Sequence, residues 1–229
     1  MANSTFLSLT NDLLRQFQEV EIGVSDWASV QGLQAYAKQA VNNSLRKIYS
    51  EHHAWPFNHV SGEQVLTAGV QTYAWPADFK IADWKSFQIQ KDDSLSVTAQ
   101  KLVPIDREDW FDNYRDLDSE TPSRAKPAFV FDAHGSNWGV TPSPDKAYTI
   151  DFDYFKKFTP LSAYTDETDI PQDFDHVILY GAASNMNLLL DNNEQAQIME
   201  KEFFKPALKE MRTILINNDL KLRDTRVRF

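Results

Sequence analysis

The chain has 229 residues, a net charge of −10 and no cysteine. This length allows one domain or two small ones, and 42% hydrophobic with 13% aromatic residues supplies a real core. The composition excludes disulfides, thiolate zinc sites and a cysteine nucleophile. The acidic balance argues against generic nucleic-acid binding through a basic surface, and no apolar run approaches the ~18 residues that cross a bilayer. The opening MANSTFLSLTND has no basic stretch followed by an apolar one, so it does not read as a signal peptide.

The first predicted helix covers residues 6–20, with Leu9, Leu13, Leu14 and Phe17 at helical spacing. Gly23 and Ser25 interrupt the chain, and Ser25 or Asp26 is a candidate N-cap. The second predicted helix is long, from about residue 26 to about 54. Its stripe is Trp27, Val30, Leu33, Ala37, Val41, Leu45, Ile48 and His52, and its length would be roughly 40 Å. Pro56 cannot continue it. The corner Trp55, Pro56, Phe57 is therefore the predicted hinge between helix and sheet.

From residue 58 to 160 the pattern is that of short strands. Residues 65–67 and 71–75 flank a glycine turn at Gly69. Residues 86–90 and 95–98 flank Asp92-Asp93 as a hairpin. Residues 104–114 form a predicted short helix capped by Asp106 with Asp109 three positions on, and the polar segment 116–126 is a predicted loop. A strand at 128–131, a turn over residues 135–139 and a turn at 142–145 lead to a strand whose core face is Tyr148, Ile150, Phe152 and Tyr154. Its other face carries Thr149, Asp151, Asp153 and Phe155 and is expected to be mostly wet.

The last part is helical again. Pro171 suits a first turn, and Phe174, Val177, Ile178, Gly181, Met186, Leu188 and Leu189 follow with imperfect periodicity. Residues 191–193 mark a break. A final helix to about residue 217 should turn Ala196, Met199, Phe203, Ala207, Met211, Ile214 and Leu215 inward, with a kink at Pro206. The expected fold class is α+β: a helical bundle from residues 1–57 and 161–218, an antiparallel β-rich insertion at 58–160, and a basic C-terminal arm at 219–229. Lys221, Arg223, Arg226, Arg228 and Phe229 of that arm are the candidate docking residues, since arginine and aromatic side chains are favoured anchors on an acidic partner.

No catalytic set emerges. His52, His53 and His59 lie close in sequence, but adjacent helical residues point about 100° apart, and the i,i+4 spacing of a helical metal pair is absent. Asp151 and Asp153 share a strand face without a specified partner, so a solvated face is preferred to a glycosidase pair. The acids Asp166, Glu167, Asp169, Asp173 and Asp175 lack the calcium-loop pattern and suit a helix start. No nucleophile elbow, phosphate loop or dinucleotide fingerprint is present. Trp55, Trp75, Trp84, Trp110 and Trp138 fit core corners better than a sugar platform. No cofactor, metal or enzyme activity is expected.

Several stretches together resemble virion structural proteins of tailed phages: LSLTNDLLRQFQEVEI, HHAWPFNHVSGEQVLTAG, YAWPADF, VTPSPDKAYTIDFDYF and ILINNDLKLRDTRVRF. The chain is similar to the head-to-tail adaptors of short-tailed phages, the tail tubular protein A-like family, in order over most of its length. The resemblance implies a dodecameric ring at the head–tail junction of the virion, assembled in the host cytoplasm. Portal protein would lie on one side and the tail nozzle or tube on the other, with genomic DNA passing through the lumen without specific binding. It implies that Arg223, Arg226, Arg228 and Phe229 face the portal; Asp92-Asp93 and the loop at Gly135 are candidates for the nozzle side. Rival readings are another tail ring, a terminator or stopper, and a carbohydrate-binding or carbohydrate-cleaving tail component.

Overall fold

The computed structural model describes residues 3–94, 96–118 and 123–224, with the side chains of residues 117 and 217–224 outside that description. The chain divides into two compact units, Met1–Asn58 with Phe158–Phe229, and His59–Lys157. Among the described residues, the long helices fall in the first and the eight strands in the second, an α+β architecture.

In the helical unit, α1 (Phe6–Gln16) starts where the Thr5 hydroxyl accepts the Ser8 amide. It buries Phe6, Leu9, Leu13 and Leu14. It ends four residues before the predicted boundary. Gln18 takes a left-handed backbone (φ 58°), and the Asn11 side chain clamps both backbone groups of Ile22 at 2.8 and 3.1 Å. The chain is thereby folded back and Ile22 is buried.

The long predicted helix is shorter as well: α2 is Gly32–Glu51. Residues before it form turns, with Asp26 bonded to the Gly23 carbonyl and Ser29 to that of Asp26, and Gly32 enters at φ 59°. Trp27 belongs to the apolar stripe but reaches the core from a turn. Its indole donates to the Ser162 carbonyl at 3.0 Å and its ring stands edge-on to Phe6 at 4.9 Å.

After a 3-10 turn at Gln172–Phe174, α5 (Asp175–Leu189) packs along α2. The buried Ser44 hydroxyl donates to the Ile178 carbonyl at 2.8 Å. Gly181 leaves room there: an added Cβ would lie 2.8 Å from the Phe204 ring and against the Ser44 hydroxyl. Helix α6 (Asn193–Ile198) passes through a π-helical turn, Met199–Phe204, into α7 (Lys205–Asp224).

That wide turn corrects the expected inward face. Each π turn holds about one residue more than an α turn, so Phe204 (1% exposed) takes the inward place predicted for Phe203, which is 42% exposed. The π turn lies just upstream of Pro206, whose missing N–H and ring disfavour regular i→i−4 bonding there. Ile214 is also exposed rather than inward, and Leu188 and Leu189, which fitted the helical spacing imperfectly, are exposed too. The helix does not stop near residue 217. Asn217, Asn218 and Asp219 are only mildly unfavourable in a helix, and no glycine or proline intervenes before Asp224.

The β unit holds β1 (His59–Val65), β2 (Thr72–Ala74), β3 (Phe79–Ile89), β4 (Gln100–Lys101), β5 (Val103–Pro104), β6 (Phe129–His134), β7 (Asn137–Thr141) and β8 (Thr149–Lys156). One sheet runs β1-β8-β3-β4, the other β2-β7-β6-β5. All pairs are antiparallel except β5 with β6. Both sheets feed one core: Phe87, Ile89, Ile150 and Phe152 from the first meet Trp138 and Val140 from the second. Phe87 stacks on Phe152 at 5.1 Å.

As predicted, Tyr148, Ile150, Phe152 and Tyr154 are buried; the opposite face is half-buried because β8 lies between β1 and β3. The strand predicted at 95–98 reduces to a single bridge, Asp92 to Val97. Asp92 turns its carboxylate onto the Ser94 amide and hydroxyl, and Ser96 is left-handed at φ 53°, which favours a turn over a ladder. Helix α3 (Arg107–Asn113) begins after Asp106 without the expected side-chain cap, and α4 (Arg115–Asp118) occupies the start of the predicted loop.

Candidate assembly surfaces

The segment from Glu51 to Asn58 builds a chain corner from its own side chains. His52 leaves the helix with extended backbone, and its Nδ1 accepts the Ala54 amide at 3.0 Å. Trp55 is fully buried and donates its indole N–H to the Ile48 carbonyl at 2.9 Å. Its ring lies parallel to Phe57, with centroids 5.4 Å apart. Tyr49 closes the cluster, edge-on to Phe57 at 5.4 Å and tilted to Phe158 at 5.3 Å. Its hydroxyl donates to Asp169 at 2.7 Å, and burial beside that carboxylate pushes the phenol well above its usual range. Pro56 opens the 3-10 turn that ends at the buried Asn58, whose amide bonds the Trp55 carbonyl.

The histidines serve this corner and its neighbours separately. His59 opens β1, edge-on to Phe155 at 5.3 Å and 3.6 Å from Asp153. His134 sits at a left-handed turn. Among the described residues no cluster of three or more histidine, aspartate or glutamate side chains gathers as a metal site, and no helix is long and apolar enough to cross a membrane.

Several acidic side chains are held by local hydrogen bonds. Asp166 accepts the Ser162 and Ala163 amides at 2.7 and 2.8 Å, which holds its carboxyl below the usual range. Asp175 accepts the Ser4 hydroxyl, and desolvation raises its carboxyl above the usual range. Asp151 accepts the Gln90 side chain and Asp153 the Ser61 hydroxyl. These two line an open groove of about 390 Å³ with Glu63, Ser86 and Gln88.

The tryptophans do not form a platform. Trp27, Trp55 and Trp138 are buried. The half-buried ones have a ring face stacked: Trp75 on Phe79 (4.0 Å), Trp84 on Phe87 (5.6 Å) and Trp110 on Phe131 (4.6 Å). Sugar recognition needs open, coplanar faces, so this arrangement removes the support for the carbohydrate reading.

Of the predicted docking residues, Lys221 and Arg223 lie on the described backbone of α7, while Arg226, Arg228 and Phe229 lie outside the described residues. Two exposed features were missed by periodicity: the leucine triplet Leu188–Leu190 and the outward Phe203. A signal for the triplet was available. Three consecutive helical residues spread over about 200° and cannot all face one core.

No curated protein matches the chain. The family model described as SU10 adaptor protein matches residues 4–228, which supports the expected likeness to phage head-to-tail adaptors. With that match spanning nearly the whole described fold, the chain belongs to the SU10 adaptor protein family.

Proposed function

We propose that this phage adaptor forms a dodecameric ring at the head–tail junction, joining portal protein to the tail nozzle or tube around the DNA channel. The observation that carries this reading is the family match over 4–228, nearly the whole chain. The rest is in keeping with it. A net charge of −10 suits a conduit wall that does not hold DNA. The corner Trp55-Pro56-Phe57 is the hinge where the helical unit's chain passes into β1. The basic C-terminal residues Lys221, Arg223, Arg226, Arg228 and Phe229 are the portal-docking group.

Co-assembly with the cognate portal tests this, comparing the full chain with one ending at Asp224, by native mass and electron microscopy. A twelve-fold ring on the portal with the full chain, lost on truncation, supports both the ring and the dock. Equal binding by both chains removes the docking role of Arg226, Arg228 and Phe229. Absence of any ring with the full chain overturns the reading.

A further inference from the structure

The turn between α5 and α6 carries an apolar corner with acids beside it. Leu188, Leu189 and Leu190 are 52%, 46% and 48% exposed. Asp191 and Glu194 follow, both exposed and neither in an ion pair among the described residues. Further along the same helical run, α7 presents Lys205, Lys209 and Arg212 at i, i+4 and i+7, one stripe of a helix. All three are exposed, and none pairs with a carboxylate among the described residues. Ala207, Leu208 and Met211 hold the buried side of this helix. At a rise of 1.5 Å per residue, Glu194 is roughly 16 Å from Lys205 and roughly 27 Å from Arg212 along the axis. The stripe therefore does not neutralise the corner of its own copy.

We propose that the two features meet between copies: the leucine corner with Asp191 and Glu194 of one copy receives the Lys205–Lys209–Arg212 stripe of the next. This rests on the ring reading above and names its copy-to-copy surface. Lysine and arginine stems are apolar along most of their length, so they cover the leucines while their charged heads reach the acids. A purely apolar partner would leave both carboxylates facing it without a counter-charge. Exposed basic stripes are expected to be scarce on a chain with 33 acidic and 23 basic residues, and α7 supplies one. The two patches are complementary and separate. Such a contact is heterologous, the kind that closes into a ring when its rotation permits.

The test uses full-length chains assembled with portal, with ring formation followed by native mass and sedimentation. One variant reverses the stripe (Lys205→Glu, Lys209→Glu, Arg212→Glu), one reverses the corner (Asp191→Lys, Glu194→Lys), and one carries both sets. A neutral set (Lys205→Gln, Lys209→Gln, Arg212→Gln) and circular dichroism guard against misfolding. Each single reversal should weaken copy-to-copy association on the order of tenfold or more, the neutral set less. The chain with both sets should recover most of the loss, and added salt should weaken the wild type. Wild-type rings together with unimpaired single reversals overturn this surface and leave the ring reading standing. Failure of the wild type to form any ring overturns both. A folded double-set chain that recovers nothing also overturns the pairing.

Discussion

The π turn makes a sharp prediction about two neighbouring phenylalanines. Phe204 is 1% exposed, its ring packs over Gly181, and the Lys47 ammonium stands 5.0 Å from its centroid. Removing it should cost about 3–5 kcal/mol, the range for truncating a buried phenylalanine. Phe203 is 42% exposed and meets Tyr180 at 5.5 Å. Its truncation forfeits one aromatic contact and part of a ring's burial, about 1 kcal/mol. The comparison is Phe204→Ala against Phe203→Ala in urea unfolding followed by circular dichroism. With slopes up to about 3 kcal/mol/M, the Phe204 variant should lose on the order of 1 M in midpoint, several times the loss at Phe203. If Phe203→Ala costs as much as Phe204→Ala or more, the helix runs without the extra residue and the packing described here is wrong.

Gly181→Ala sets two effects against each other. Alanine gains about 1 kcal/mol in helix propensity, but its Cβ meets Phe204 at 2.8 Å and the Ser44 hydroxyl, an overpacking cost of about 1–3 kcal/mol. A net loss is expected, seen as a lowered melting temperature; a raised one would contradict the close approach. Trp55→Ala should cost about 3–5 kcal/mol, since it empties a fully buried site. Trp55→Phe should cost less while still removing the indole bond to the Ile48 carbonyl, and an exchange-resistant indole N–H in the wild type checks that bond. Asp175 gives a pH effect of defined sign. Its carboxyl is raised in the folded chain, chiefly by burial, so its contribution is fully present below the unfolded value and lost as pH rises through the folded one. Asp175→Asn should therefore gain stability relative to wild type as pH rises from about 3 towards neutrality; a variant that loses stability relative to wild type over that range refutes it.

Patterns set by one face were legible in advance. The alternation of Tyr148, Ile150, Phe152 and Tyr154 predicted the buried face of β8, and Leu9, Leu13 and Leu14 that of α1. Boundaries set by side-chain bonds across distant segments were not. Trp27 continues the α2 stripe in sequence, yet its indole is satisfied by Ser162, more than a hundred residues away, from a turn. Asn11 likewise ends α1 by clamping Ile22. The predicted cap Asp106 makes no side-chain capping bond, because capping propensity does not fix the rotamer. The Trp55 corner was readable because Pro56 and the aromatic run act locally.

The candidate assembly surface was hidden by the same arithmetic that made the core visible. Periodicity assigns apolar residues to one continuous face, so it turned Phe203 and Ile214 inward and left Leu188 and Leu189 as an imperfect continuation of the preceding helix. The folded chain offers two departures from that assumption. One extra residue in the π turn seats Phe204 and displaces Phe203 outward. A helix that ends in three leucines cannot bury them all against one neighbour. Leaving them in water is unfavourable, while a net charge of −10 makes copies repel each other at long range. Association therefore needs a local patch of opposite sign beside apolar cover. On the described surface, the α7 stripe and the acid-flanked leucine corner meet that requirement. Reversing Glu194 and Asp191 should accordingly disturb assembly more than reversing two exposed acids that make no ion pair among the described residues and lie elsewhere in the chain, such as Glu19 and Glu108. Equal effects from both pairs would reduce the contact to overall charge.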